Sequence, residues 1–162
     1  MARMMKMLEN SISEVFEKMF FILLLPDTAA GSAGEYERAS VIHFNGFESG
    51  CVKLSVSNTI LEVMVHNMLN ICEEDVSEEE KEDCIKEAVN MVCGNFLAAF
   101  DKDSLFELSI PECGPHDDFE PFGYRAAGKR FFICDDIRAR IAVELFLRDK
   151  DPGIQVVRHL SR

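Results

Sequence analysis

The stretch Asp83-Cys84-Ile85-Lys86-Glu87-Ala88-Val89-Asn90-Met91-Val92-Cys93-Gly94-Asn95 decides how the rest of the chain is read. At roughly 100° per residue it divides into two faces of a helix. Ile85, Val89, Val92, Phe96 and Ala99 fall on one apolar stripe, the pattern of a side turned to a core. Asp83, Glu87, Asn90 and Gly94 recur on the opposite side at i, i+4, i+7 and i+11. That second stripe sets a carboxylate, a carboxamide and bare backbone one turn apart. Glycine inside a helix costs about 1 kcal/mol relative to alanine, so Gly94 is expected to serve something other than the helix. A residue without a side chain lets another surface come close.

Working outward, Ser77-Glu78-Glu79-Glu80 is a capping box that launches this helix, and its three glutamates suit the positive end of the helix dipole. Reading the acidic run from Glu73 as a calcium loop fails for want of a glycine-punctuated ligand pattern. Thr59-Ile60-Leu61-Glu62 matches a second capping box and predicts a helix over 59–71. Ile60, Leu61, Met64, Met68 and Leu69 point inward there, with His66 and Asn67 solvated. A first helix is predicted over 5–22 from the recurrence of Leu8, Ile12, Val15, Phe16, Met19 and Ile22.

Between these helices, residues 26–34 read as a loop, and residues 39–44 and 51–56 as an antiparallel strand pair around Asn45-Gly46 and Gly50. Beyond the polar stop at 101–104, a short strand over 105–110 is expected to be broken by Pro111 and Pro115. Residues 116–121 read as an acidic loop. The C-terminal third predicts strands over 124–127, 130–134 and 137–147, punctuated by Gly128 and Asp135-Asp136. Ile141, Val143, Leu145 and Leu147 share one face of the last strand; Arg138, Arg140 and Glu144 share the other. Helices grouped around a mainly antiparallel sheet, about three of them, make an α+β fold. The 162 residues are expected to form a single domain with its core over about 8–147.

The order Asp83-xxx-Glu87-xx-Asn90, continuing to Gly94 and Asn95, resembles the signature helix of the CheC/CheX/FliY phosphatases, which remove phosphate from the chemotaxis response regulator CheY. The arrangement of predicted elements is similar to the CheX branch. Two-site members carry a second Glu-xx-Asn motif on the first helix; here Glu14-xx-Glu17 lacks the Asn, so one site is implied. The resemblance implies an Asn90 that orients the attacking water and a Glu87 that pairs with the regulator's active-site lysine. Asp83, Gly94 and Asn95 are then candidate partner-binding residues. Pro111 lies near, not at, the place of a family proline and receives no role. The phosphorylated CheY-like regulator is the implied partner and supplies its own Mg2+, so no cofactor of this chain's own is expected. A homodimer paired through the sheets is implied as well.

Charge and composition narrow the alternatives. A net charge of −12 argues against nucleic acid and against an anionic membrane surface, both of which need lysines and arginines. The longest apolar run, residues 19–25, is too short to span a bilayer, which takes about 20 residues. Six cysteines without a CxxC pair, and no signal peptide at the start, predict a reduced cytoplasmic protein. His43 has no ligating neighbour, and His116, Asp117 and Asp118 are consecutive, so no metal site is expected. Two rival readings remain: a binding module that docks a phosphorylated regulator without hydrolysing it, and a structural dimer-forming domain whose polar stripe merely faces solvent.

Overall fold

A computed structural model describes residues 1–28, 36–72, 75–134, 136–137 and 139–149. The glycine-bearing part of the first loop, Glu73, Glu74, Asp135, Arg138 and the tail from residue 150 lie outside the described residues.

The elements run α1 (Ala2–Phe20), β1 (Leu25–Pro26), β2 (Arg38–Asn45), β3 (Gly50–Val56), α2 (Asn58–Leu69), α3 (Glu78–Phe100), β4 (Glu107–Leu108), β5 (Glu112–Pro115), a 3-10 turn (His116–Asp118), β6 (Tyr124–Cys134) and β7 (Ala139–Arg148). The seven strands form one antiparallel sheet in the order β1-β6-β7-β3-β2-β4, with β5 also paired to β2. This is the expected α+β architecture of three helices on a mainly antiparallel sheet.

Alternation explains why the helices lie where they do. Ile42 is level with Val52 and Val52 with Leu145, while Leu54 is level with Val143 and Val56 with Ile141. These rows are fully buried and form the sheet's half of the core. The helical half comes from Leu8, Ile12 and Phe16 of α1, Ile60, Leu61 and Met64 of α2, and Ile85, Val89, Val92 and Phe96 of α3. α3 packs against α1, α2 and strands β2, β3 and β5, so it is the helix with the most neighbours to hold it.

Several expected boundaries move, each for a local reason. α1 stops at Phe20 because Phe21 turns into the left-handed region, φ 55°, and the Ile22 N–H donates to Phe16 O at 3.0 Å. Ile22 stays buried just past that turn. The N-cap of α2 is Ser57, whose hydroxyl accepts from the Ile60 N–H; Thr59 is not the cap, and Glu62 pairs with Lys81 instead. Asn67, expected to be solvated, donates to Phe20 O at 2.7 Å.

The strand expected over 105–110 shrinks to β4. The proline-flanked segment after it forms β5 rather than a simple break: Pro111 lies just before the strand, and Pro115, its last residue, is level with Arg38 at the start of β2. Residues 124–127 and 130–134 belong to one strand, β6, with a bulge between Ala126 and Gly128. A Cβ on Gly128 would lie 2.6 Å from Met5 Sδ, so the bulge brings bare backbone under α1. β7 begins at Ala139, two residues later than expected. Ala99 is exposed, because the buried stripe of α3 ends with Phe96 and Leu97.

Candidate functional site

The rotation of α3 about its own axis fixes what it offers to solvent, and its N-terminal half is tied at three points. Ser77 and Glu80 form the expected capping box: the Glu80 N–H donates to Ser77 Oγ at 3.1 Å and the Ser77 N–H to Glu80 Oε2 at 2.8 Å. Arg38, at the start of β2, pairs with Glu78 and lies 3.7 Å from Glu82. Lys81 reaches Glu62 of α2 at 3.1 Å and Glu78 at 3.4 Å. Further along, the Phe96 ring sits on Phe44 of β2 at 6.4 Å and on Phe100 at 6.1 Å.

With the helix held this way, Cys84, Ile85, Ala88, Val89, Val92 and Cys93 are sealed inside. Asp83 and Glu87 are exposed, and Asn90 and Gly94 are half-buried at the same surface. Among the described residues, neither the Glu87 carboxylate nor the Asn90 amide takes part in a hydrogen bond or ion pair within the chain. The stripe expected from sequence is therefore brought together as a stripe. Asn95 is also half-buried but falls about 140° around the helix from Asn90 at ~100° per residue, on the flank of that stripe. A Cβ built on Gly94 meets no atom within 4 Å, so its lack of a side chain is not a packing requirement of this fold.

The corresponding place on α1 is chemically different. Glu14 is exposed and ion-paired to Lys18 at 2.5 Å. An acceptor-only carboxylate stands at Glu17, where a carboxamide would be needed.

Three of the cysteines are held in the thiol form. Burial pushes the thiols of Cys51, Cys84 and Cys93 up to about 12, which leaves them protonated at neutral pH. His43 Nδ1 lies 3.2 Å from the Tyr124 hydroxyl, and His116 Nδ1 lies 2.9 Å from Ser55 Oγ. Among the described residues no three His, Cys, Asp or Glu side chains are placed to hold one metal ion. No helix of the described residues is long and apolar enough to cross a membrane.

A cavity at the C-terminal end of the same stripe escaped the sequence reading. It has a volume of about 480 Å3 and is lined by Gly94, Leu97, Ala98, Asp101, Lys102, Ser104, Phe106 and Leu108. Leu97, Ala98 and Asp101 continue the i+7, i+8 and i+11 positions from Asn90, a periodicity that could have pointed to it. Phe106 and Leu108 arrive from the chain beyond the helix, and no spacing announces them.

Comparisons with known proteins bear on both the fold and the helix. The model of the family described as "Chemotaxis phosphatase CheX" matches residues 38–120, just over half of the chain and including all of α3. The crystal structure of chemotaxis protein CheX from Vibrio vulnificus is similar at 16% identity and a TM-score of 0.72, over 90% of this chain and 96% of that one. CheX from Desulfovibrio desulfuricans is similar at 17% identity and a TM-score of 0.71, over 90% and 99%. The CheX of a CheX–CheY–BeF3–Mg2+ complex from Borrelia burgdorferi is similar at 17% identity and a TM-score of 0.68, over 90% and 97%. At such identities these three establish the fold. No curated protein matches the chain.

Proposed function

The chain belongs to the family of the chemotaxis phosphatase CheX, and from that premise we propose that it accelerates hydrolysis of the aspartyl phosphate on a CheY-like response regulator. Family membership, with a CheX–CheY complex among its structural relatives, supports a CheY-related role in chemotaxis. The observation that carries the finer reading is the pairing of Glu87 and Asn90 on one outward stripe of a helix tied down by Arg38, Lys81 and the Ser77 cap.

An acyl phosphate already has a good leaving group. Its hydrolysis is limited by placing water in line and by stabilising charge on the transferring phosphoryl oxygens. A catalyst of this reaction therefore needs position more than a nucleophile of its own. The Asn90 amide offers an acceptor for a proton of the attacking water and a donor for a phosphoryl oxygen. Glu87, a turn away, pairs with a lysine of the regulator and sets the register of docking. Mg2+ would be held by the regulator, where it would offset the charge on the phosphoryl oxygens. Asp83 and Asn95 lie at the margins of the docked surface. The same proposal includes a homodimer, which light scattering would report as twice the chain mass, and a cytoplasmic location shared with the regulator.

The test is turnover of a CheY-like regulator charged with acetyl phosphate in the presence of Mg2+. Asn90→Ala should lose on the order of 10² to 10³ in rate, the scale of a lost positioning group. A variant as fast as the wild type sinks the mechanism. Phosphorylation-dependent binding by a wild type that gives no turnover would leave the non-catalytic docking module in its place.

A further inference from the structure

The stripe bearing Glu87 and Asn90 runs on past Gly94 and opens into the cavity walled by Leu97 and Ala98 on one side and Phe106 and Leu108 on the other. We infer that this cavity is a docking socket for an apolar side chain of the response regulator, set beside the residues that act on its phosphate. The inference rests on the proposed function for the identity of the partner.

Continuity is the first support. At 1.5 Å per residue, Gly94 lies about 6 Å along the helix from Asn90 and Ala98 about 12 Å. A partner surface of ordinary size, about 800 Å2, that covers Asn90 also covers the mouth of the socket. Apolar exposure is the second: Met91 is 40% exposed and follows Asn90 in the chain, Leu108 is 39% exposed at the wall, and Leu105, between the lining residues Ser104 and Phe106 in the chain, is 94% exposed. Exposed apolar side chains next to a polar stripe fit the arrangement of an apolar anchor inside a polar rim.

Charge gives the third. The other end of the stripe is acidic, with Asp83 and Glu87 exposed, which calls for a partner that presents a basic group roughly two turns from its apolar anchor. A regulator with an active-site lysine meets that description.

The socket is also built in advance. The Asp101 carboxylate accepts from the Asp103 N–H at 3.0 Å and from the Ser104 hydroxyl, and the Asp101 N–H donates to Leu97 O at 3.0 Å. Phe106 packs edge-on against Phe44 at 6.2 Å. The walls thus need no rearrangement to receive a side chain, which lowers the cost of binding. Gly94 now has a reason: the empty space next to it is where the partner lies.

The experiment measures binding of the regulator, activated with beryllofluoride and Mg2+, to the full chain and to Gly94→Leu and Ala98→Glu. Gly94 faces open space and Ala98 is exposed, and matching circular dichroism and thermal unfolding would establish that both variants fold. Each should weaken binding about tenfold or more, the loss expected for one buried apolar anchor, while Asn90→Ala loses rate and keeps its affinity. Unchanged binding by both socket variants, with Asn90→Ala still inactive, overturns the socket and leaves the phosphatase reading standing. A wild type that binds without turnover, and loses binding in both variants, upholds the socket while the phosphatase reading fails. Variants that change only the oligomeric state assign the cavity to a second copy of the chain and overturn the inference.

Discussion

Lys81 of α3 is only 7% exposed, and its amine lies 3.1 Å from the Glu62 carboxylate of α2. Burial alone would lower its proton affinity. The hydrogen bonds it donates to Glu62 and Glu78 outweigh burial and hold it above the ordinary lysine value. It therefore stays charged through neutral pH, and its ionic contribution fades only above about 10.5. Both carboxylates are more than half exposed, so the Coulombic part is worth about 0–1 kcal/mol; the packed aliphatic stem contributes the rest. Lys81→Ala should cost about 1–2 kcal/mol and Lys81→Met about half of that, read as shifts in the urea midpoint. Equal losses in the two variants would mean that charge, not packing, ties α2 to α3.

His116 gives the fold a dependence on acid. It sits beside Tyr36, ring centroids 5.5 Å apart, with Nδ1 against Ser55. Burial first, then the positive charge of Lys53, with a smaller push from Lys129, lowers its pKa; Asp117 and Glu144 pull the other way. A histidine held neutral in the folded state contributes fully above its unfolded value near 6.5, and this is lost as pH falls through the lowered folded value. Stability measured by urea unfolding should therefore fall from pH 7 to pH 5, and His116→Gln should flatten part of that slope. An identical slope in the variant would assign the loss to carboxylates.

What could be read from sequence depended on how local the cause was. α3 was legible because Ser77, Glu80 and a 3.6-residue apolar period all act within the helix itself. β2 and β3 were legible through the turn signal of Asn45-Gly46 and Gly50 set between two strand-like runs. The cap of α2 was not: Thr59 and Glu62 mimic a capping box, but the free Asn58 N–H is taken by Glu37, 21 positions earlier, and Ser57 does the capping. Gly128 looked like a strand boundary because nothing in its neighbours announces Met5 above it. The Glu87–Asn90 stripe followed from spacing alone, whereas the socket beside Gly94 needed Phe106 and Leu108, which only the folded chain brings there.

Glu87 should act through affinity rather than chemistry. It is exposed in the free chain, so its pairing with a lysine is formed on docking and is screened by salt. Glu87→Ala is expected to raise KM about tenfold, or about 1.4 kcal/mol, with part of kcat recovered at saturating regulator. KM of the wild type should rise with ionic strength from 50 to about 300 mM, and that of Glu87→Ala should rise less. A loss confined to kcat would instead place the carboxylate at the phosphoryl group.

Gly94 separates the needs of the fold from those of docking. Inside α3 glycine is unfavourable by about 1 kcal/mol relative to alanine, and the methyl of Gly94→Ala would meet nothing within 4 Å. The substitution should therefore stabilise the chain by about 0.5–1 kcal/mol, a rise in Tm of about 1–4 °C for a protein of this size. The same methyl protrudes where the regulator is expected to lie, so the more stable variant should also bind it more weakly. A gain in stability with affinity untouched would mean that the partner keeps its distance from this turn of the helix. A loss of stability would mean that the helix is packed differently around residue 94, since in open space only the intrinsic preference of the backbone can decide the sign.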